Sequence, residues 1–169
     1  MAGYDLLSLN VRGLRNKCKR QQLFQWLKHY HNGSNCYILL QETHSTVADE
    51  KAWQNDWGSQ ILFGHGTSKS CGVAILLPIK YNFDDIKVVI AESRKLCIEL
   101  STEENSIAIL NVYAPTKDNA HDHVKFVESL RNEFEEYSDR IIVGGDFNFY
   151  LNAELDKDKC TNEMNKASI

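Results

Sequence analysis

Four short apolar runs in this chain each discharge into polar side chains, and that recurrence narrows the folds open to it. Leu6-Leu7-Ser8-Leu9 runs out at Asn10, and Tyr37-Ile38-Leu39-Leu40 at Gln41-Glu42-Thr43-His44. Ile107-Ala108-Ile109-Leu110 leads to Asn111-Val112-Tyr113, and Ile141-Ile142-Val143 passes two glycines into Asp146-Phe147-Asn148. Runs of this length, rich in β-branched residues, read as buried strands. The glycine pair predicts that the last strand stops abruptly at Val143. Strands that all release polar groups are expected to share one site on the rim of a sheet.

The remaining pattern supplies further strands and three helices. Leu23, Leu27 and Tyr30 predict a helix over 21–31, with Gly33 as its stop signal. Thr46-x-x-Asp49 reads as a capping box opening a short helix that carries Trp53 and Trp57 on one face and ends at Gly58. Strands are expected at 36–40, 61–63, 72–77, 86–90, 96–100, 107–113 and 140–143, with a Gly/Ser loop over 64–70. The turn at 101–105 makes the 96–100 and 107–113 pair a hairpin. A longer helix over 120–137 is predicted to bury a stripe of Val124, Val127, Leu130, Phe134 and Tyr137. Strands outnumber helices and follow one another closely. The pattern is therefore α/β of the α+β or layered-sandwich kind, not a doubly wound nucleotide fold.

At 169 residues the chain is one domain with enough length for a real core. Its longest apolar run, Val73–Leu77, stops at Pro78, far short of a membrane span, and the first residues lack the basic and apolar regions of a secretory signal. Five widely spaced cysteines with no Cys-x-x-Cys pair argue for reduced thiols in an intracellular compartment. The net charge of −4 is unfavourable for a nucleic-acid reader. Its distribution is less so. No acid lies between Leu6 and Gln41, while Arg12, Arg15, Lys17, Lys19, Arg20 and Lys28 follow Asn10. A solvated helix face and a substrate-binding strip both fit that run. His121 and His123, two apart on a helix, point different ways and read as surface residues.

The polar groups at the strand exits suit one chemistry when taken together. Magnesium takes hard oxygen ligands and often only one or two protein carboxylates, leaving water and substrate phosphate to complete its shell. Glu42 fits that role, and Asn10 could orient Glu42 or offer its own carbonyl. Tyr113 could present a phenol to a phosphate oxygen, Asp146 could take a proton from water, and Asn148 could hold the phosphate. Singly, each residue also reads as a turn former, a cap or a rim residue.

These motifs, in this order, closely resemble the endonuclease/exonuclease/phosphatase superfamily: Leu9-Asn10-Val11-Arg12-Gly13-Leu14, Leu40-Gln41-Glu42-Thr43-His44, Asn111-Val112-Tyr113-Ala114-Pro115 and Gly145-Asp146-Phe147-Asn148. Within it the spelling is most similar to the amino-terminal endonuclease of LINE-type (non-LTR) retrotransposons. Gln41-Glu42-Thr43-His44, the two tryptophans after it and Ser70-Cys71-Gly72-Val73-Ala74-Ile75-Leu76 carry that likeness. The resemblance implies a four-layered sandwich of two mainly antiparallel sheets flanked by helices. It implies Asn10 and Glu42 at a divalent ion, Mg²⁺ or alternatively Mn²⁺, with Tyr113, Asp146 and Asn148 at the phosphate. Arg12, Arg15 and Lys17 are then expected to bind DNA. Such domains nick DNA to leave a 3′-hydroxyl, act as monomers in the nucleus, and are fused to a reverse transcriptase in a complete element.

Two departures from the family pattern shape the expectation. Arg12 stands where the repair nucleases, the exonuclease III and apurinic-site relatives, carry an acid, which disfavours a repair role. The family's closing Asp and Ser-Asp-His have no counterpart, since none of the histidines (29, 31, 44, 65, 121 and 123) follows Asp146. Residues 1–169 thus read as a domain lacking its C-terminal segment, with activity several orders of magnitude below a complete relative or none at all. A phosphatase of small phosphorylated molecules is the reading that the negative charge favours.

Overall fold

The computed structural model describes residues 5–30, 36–79, 86–101, 106–116, 120–136 and 140–148. Two four-stranded sheets stack face to face. The first contains β1 (Asp5–Asn10), β2 (Cys36–Gln41), β3 (Ile61–Gly64) and β4 (Val73–Leu76), in the order β1-β2-β4-β3. The second contains β5 (Ile86–Ala91), β6 (Lys95–Ser101), β7 (Ser106–Tyr113) and β8 (Ile141–Asp146), in that order. β1 runs parallel to β2 and β7 parallel to β8, and the other four pairings are antiparallel. The anticipated hairpin is the β6–β7 pair, with its turn at 102–105 outside the described residues.

Alternation along the strands builds three apolar layers. In β2, Ile38 and Leu40 face a layer shared with Phe24, Leu27, Trp53 and Trp57 of the helices, while Tyr37 and Leu39 face the other sheet. β4 divides likewise, Ala74 and Leu76 outward, Val73 and Ile75 inward. In β7, Ile109 and Tyr113 point between the sheets, while Ala108, Leu110 and Val112 face Leu130 and Phe126 on the far side. Period-two alternation between two buried faces is why these strands read as nearly continuous apolar runs. Helices α1 (Lys17–Tyr30) and α2 (Glu50–Trp57) cover the first sheet and α3 (Ala120–Glu136) the second. That is the four-layered sandwich.

Three boundaries differ from the sequence reading for identifiable reasons. α1 starts at Lys17, four residues before the predicted helix, because the Asn16 carboxamide accepts the Lys19 N–H at 3.0 Å as an N-cap. The capping box forms, Asp49 accepting from the Thr46 backbone and hydroxyl, but its first turn is a 3₁₀ turn over Val47–Asp49. β8 does not stop at Val143. It pairs Gly144 with Asn111, Gly145 with Val112 and Asp146 with Tyr113, so Asp146 is the last residue of the strand. The glycines are there because a Cβ on Gly145 (φ +146°) would lie 2.0 Å from the Val112 carbonyl oxygen, and one on Gly144 2.6 Å from Leu39.

The predicted stripe of α3 is a correction as well. Val124, Val127 and Phe134 are 54, 49 and 42% exposed, whereas Leu130 is buried and Phe126 half-buried. Tyr137 lies outside the described residues. The inner face is instead Phe126, Leu130 and Glu133, the last drawn inward by Lys95 on β6, whose ammonium lies 2.9 Å from its carboxylate. The inner face of α3 thus includes an ion pair, which hydrophobic periodicity does not register.

Candidate active site

The parallel pairs β1–β2 and β7–β8 bring four strand ends to one corner of the sandwich, where β1 touches β8 across the two sheets. There the Asn10 carboxamide nitrogen donates to Glu42 Oε1 and to Asp146 Oδ2, each at 2.7 Å. One amide therefore joins a carboxylate after β2 to a carboxylate ending β8, 104 positions further along the chain. Asn10 Oδ1 accepts the Arg12 backbone N–H at 3.1 Å, which fixes the direction in which the amide points.

Asp146 is held from both sides. Its Oδ1 accepts the Asn148 N–H at 2.9 Å, and its backbone oxygen accepts the Ala114 N–H at 2.8 Å. Asn148 donates its carboxamide to the Ala114 carbonyl at 2.6 Å, so the turn after β8 is stitched to the end of β7. To reach a phosphate oxygen, that amide would have to leave Ala114.

Tyr113, next to Ala114, is buried against the inter-sheet layer and hydrogen-bonds Glu42. Burial, then the negative charge of Glu42 and that hydrogen bond, push its phenol above the ordinary tyrosine value. The phenol is consequently protonated at neutral pH and donates to the carboxylate.

Two polar residues that carry no charge set the distance between the sheets. Asn111, fully buried on the inner face of β7, donates to the carbonyls of Leu40 (3.0 Å) and Ala74 (2.9 Å) in the opposite sheet. Its own oxygen accepts from Gln41 Nε2 at 2.8 Å. The strand expected over 107–113 runs through Asn111, whose side chain clamps the sheets at Leu40, two residues before Glu42, as Asn111 itself lies two residues before Tyr113.

The loops at this end are conformationally demanding. Arg12, Glu42, His44, Cys71 and Asn148 all have φ between +46° and +58° without being glycine. Left-handed backbone at non-glycine residues is uncommon and clusters at functional sites. The backbone of 11–14 runs beside 41–43, with Gly13 N–H bonded to the Glu42 carbonyl at 2.6 Å, so the arms carrying Asn10 and Glu42 are tied together.

The basic segment divides by function. Arg20 is buried and gives two hydrogen bonds to Asp56 at 2.9 and 2.6 Å while its guanidinium lies over Trp53. Lys28 reaches the Asp56 carbonyl and Trp57, and Lys19 caps the Val11 and Arg12 carbonyls. These three bind the fold together. Arg12 and Lys17 are exposed, and Arg15, also exposed, lies 3.6 Å from Asp49. His121 and His123 are on the surface of α3, His123 Nε2 being 3.1 Å from the Phe147 carbonyl.

Arg94 was not singled out by the sequence. It sits in the β5–β6 turn with its guanidinium 4.8 Å from the centroid of the Tyr113 ring. No motif marks it, since its meaning comes from a β-sheet register that places it opposite Tyr113.

This corner brings together the Asn10 carboxamide, the Glu42 and Asp146 carboxylates and the Tyr113 phenol. The endonuclease/exonuclease/phosphatase family model matches residues 7–162, and the chain belongs to that family. A Xenopus laevis protein described as the uncharacterized 149 kDa protein of transposon TX1 is 32% identical over 152 residues, which cover 88% of this chain and 11% of that protein. The chain also superimposes on an AP endonuclease from Leishmania major (TM-score 0.66, 15% identity, 85% of this chain and 54% of that one). Zebrafish (D. rerio) TDP2 complexed with a single-strand DNA product matches with a TM-score of 0.64 and 18% identity, over 89% of this chain and 62% of the other. At these identities the two structures establish the fold. The chain spans little more than half to three-fifths of their length, and about a tenth of the transposon protein's.

Among the described residues no helix is long and apolar enough to cross a membrane, and Cys18, Cys36, Cys71 and Cys97 are free thiols.

Proposed function

We propose that this domain hydrolyses DNA phosphodiester bonds with the help of Mg²⁺, Mn²⁺ being an alternative ion, and that it nicks target DNA for a mobile element. The observation that carries this reading is the Asn10 amide held between Glu42 and Asp146. Two carboxylates from different sheets share one donor, so together they can serve one phosphate. The donor set also fits the ion. Glu42, Asp146 and the Asn10 carbonyl are hard oxygens, and magnesium needs only one or two carboxylates from the protein.

In this reading Glu42 would hold the ion, oriented by Asn10. The bound ion would supply charge neutralisation at the phosphate. Asp146, fixed by Asn10 and Asn148, would take the proton from an attacking water. Tyr113 would turn its phenol from Glu42 to a phosphate oxygen, and Asn148 would do the same with its carboxamide. Arg12, Arg15 and Lys17 would meet the DNA backbone. The 149 kDa transposon relative, of which this chain matches 11%, supports a place within a larger polypeptide. In this reading that polypeptide would also carry a reverse transcriptase, and the domain would act as a monomer in the nucleus. We also assign residues 1–169 to one endonuclease/exonuclease/phosphatase domain.

Supercoiled plasmid incubated with the purified chain tests this. Nicking that requires Mg²⁺ and disappears in Asp146→Ala and Glu42→Ala is expected, with 3′-hydroxyl ends that a polymerase can extend. No nicking at stoichiometric enzyme, or nicking that survives either substitution, overturns the nuclease reading. Strong preference for abasic over intact duplex would replace it with a repair role.

A further inference from the structure

We propose that Arg94 is a positioning residue of this site: it fixes Tyr113 against Glu42 and places a positive charge behind the phenol for a phosphodiester anion. The inference rests on the reading of Tyr113 as a phosphate contact. Three interactions converge on the one tyrosine. The Tyr113 N–H donates to the Arg94 carbonyl at 2.9 Å, Arg94 Nη1 donates to the Tyr113 carbonyl at 3.2 Å, and the guanidinium stacks over the ring. Main chain and ring face are thereby held by the same residue.

The support beneath Arg94 is stiff. The Glu92 N–H bonds the Lys95 carbonyl at 2.8 Å, closing the turn, and the Ser93 carbonyl accepts the Gly72 N–H at 2.9 Å. Gly64 packs so tightly beneath it that an added Cβ would lie 2.0 Å from the Glu92 carbonyl oxygen. The turn therefore cannot shift to accommodate a misplaced side chain.

The ordinary alternative is a cation capping an aromatic at the end of a hairpin. Charge bookkeeping argues against that being all. The acids within reach of the turn are taken by Lys95, which pairs with Glu133 at 2.9 Å and Glu92 at 3.6 Å. Among the described residues Arg94 itself has no carboxylate within 4.0 Å, in contrast to Arg20, Arg15 and Arg131. A half-buried guanidinium keeps most of its five donors for a ligand, and planar donors of this kind suit phosphate oxygens. Of the charges acting on the Tyr113 phenol, that of Glu42 raises its pKa and that of the Arg94 guanidinium lowers it.

Single-turnover nicking of plasmid by Arg94→Lys, Arg94→Ala, Tyr113→Phe and the double variant tests this. The Arg94 variants are expected to slow the cleavage step roughly ten- to a hundredfold. Half-saturating DNA concentration and melting midpoint should stay near wild type. In the Tyr113→Phe background, Arg94→Ala should add less than about a twofold loss, because the two act as a unit. Multiplicative losses, or a loss that tracks the melting midpoint, would overturn the assignment. A second readout needs no turnover: ¹³C-labelled tyrosine, with Tyr113 assigned through Tyr113→Phe, titrated with dimethyl phosphate. The Tyr113 ring signal should move in the wild type and stay still in Arg94→Ala. An unchanged response in Arg94→Ala removes the anion role even if the protein cuts no DNA.

Discussion

Replacing Asn111 with leucine is the most informative single perturbation, because it removes hydrogen bonds with little change of side-chain shape. The substitution deletes two donated bonds, to Leu40 O and Ala74 O, and one accepted from Gln41 Nε2. A net hydrogen bond contributes about 1 kcal/mol, and a buried polar group left without its partner costs about 1–3 kcal/mol. Gln41 keeps its bonds to Leu39 O and Ser8, so its share is at the low end. The expected loss is about 3–5 kcal/mol, a large part of the roughly 5–15 kcal/mol available to a domain. With a urea slope of about 2 kcal/mol per molar, the unfolding midpoint falls by about 2 M. Ile109→Val, on the same inner face, should cost only about 1 kcal/mol and serves as the apolar control. The clamp lies two residues from Glu42 and from Tyr113, so nicking by Asn111→Leu should fall further than by the control at a temperature where both are folded. A midpoint change below 0.5 M (an arbitrary threshold of about 1 kcal/mol), or full activity in the folded variant, would refute the idea that this side chain sets the spacing of the sheets.

Three further outcomes follow from the same contacts. Burial alone would raise the Asp56 carboxyl, but hydrogen bonds from Gln21 and Arg20 and the charges of Arg20 and Lys17 bring it below the ordinary value. Its contribution is therefore present above about pH 3.9 and is lost as pH falls from there through the lower folded value. Acid titration of unfolding free energy should show a shallower slope in that window for Asp56→Asn, and an unchanged slope would exclude the account. Gly145→Ala forces a Cβ against the Val112 carbonyl in a strand that cannot retreat, and should destabilise by at least about 2 kcal/mol by urea melting. A neutral Gly145→Ala would mean that β8 pairs differently from the register seen. Magnesium at a hundredfold excess over its dissociation constant should add about 2.7 kcal/mol of stability, a gain absent in Glu42→Gln. An equal thermal shift in that variant would place the ion elsewhere.

Most of the fold was legible because its strands are buried on both faces and stand out as apolar runs. Trp53 and Trp57 sit together on α2, as their spacing implied, and both are buried. The corner of Asn10, Glu42, Tyr113 and Asp146 was also readable, since each residue follows such a run or ends it. What escaped was whatever depended on a partner distant in sequence. Asn111 looks like any polar residue after a strand until the opposite sheet supplies its carbonyls. Glu133 looks like a surface acid until Lys95 turns α3 around it. The glycines before Asp146 signalled a break, but they mark close approach to Val112 and Leu39, and the strand runs on. The six cations after Asn10 could not be sorted from sequence, because Asp56, which claims Arg20, lies 36 positions away.

The left-handed residues around this corner set thermal endurance against chemistry. Each costs on the order of 1 kcal/mol that a glycine would recover, less for Asn148 than for Cys71 or Glu42. A selection for heat resistance would therefore drift toward glycine at the very places that aim the carboxylates. Variants gathered that way should outlast the parent in the thermocycler and lag behind it on DNA.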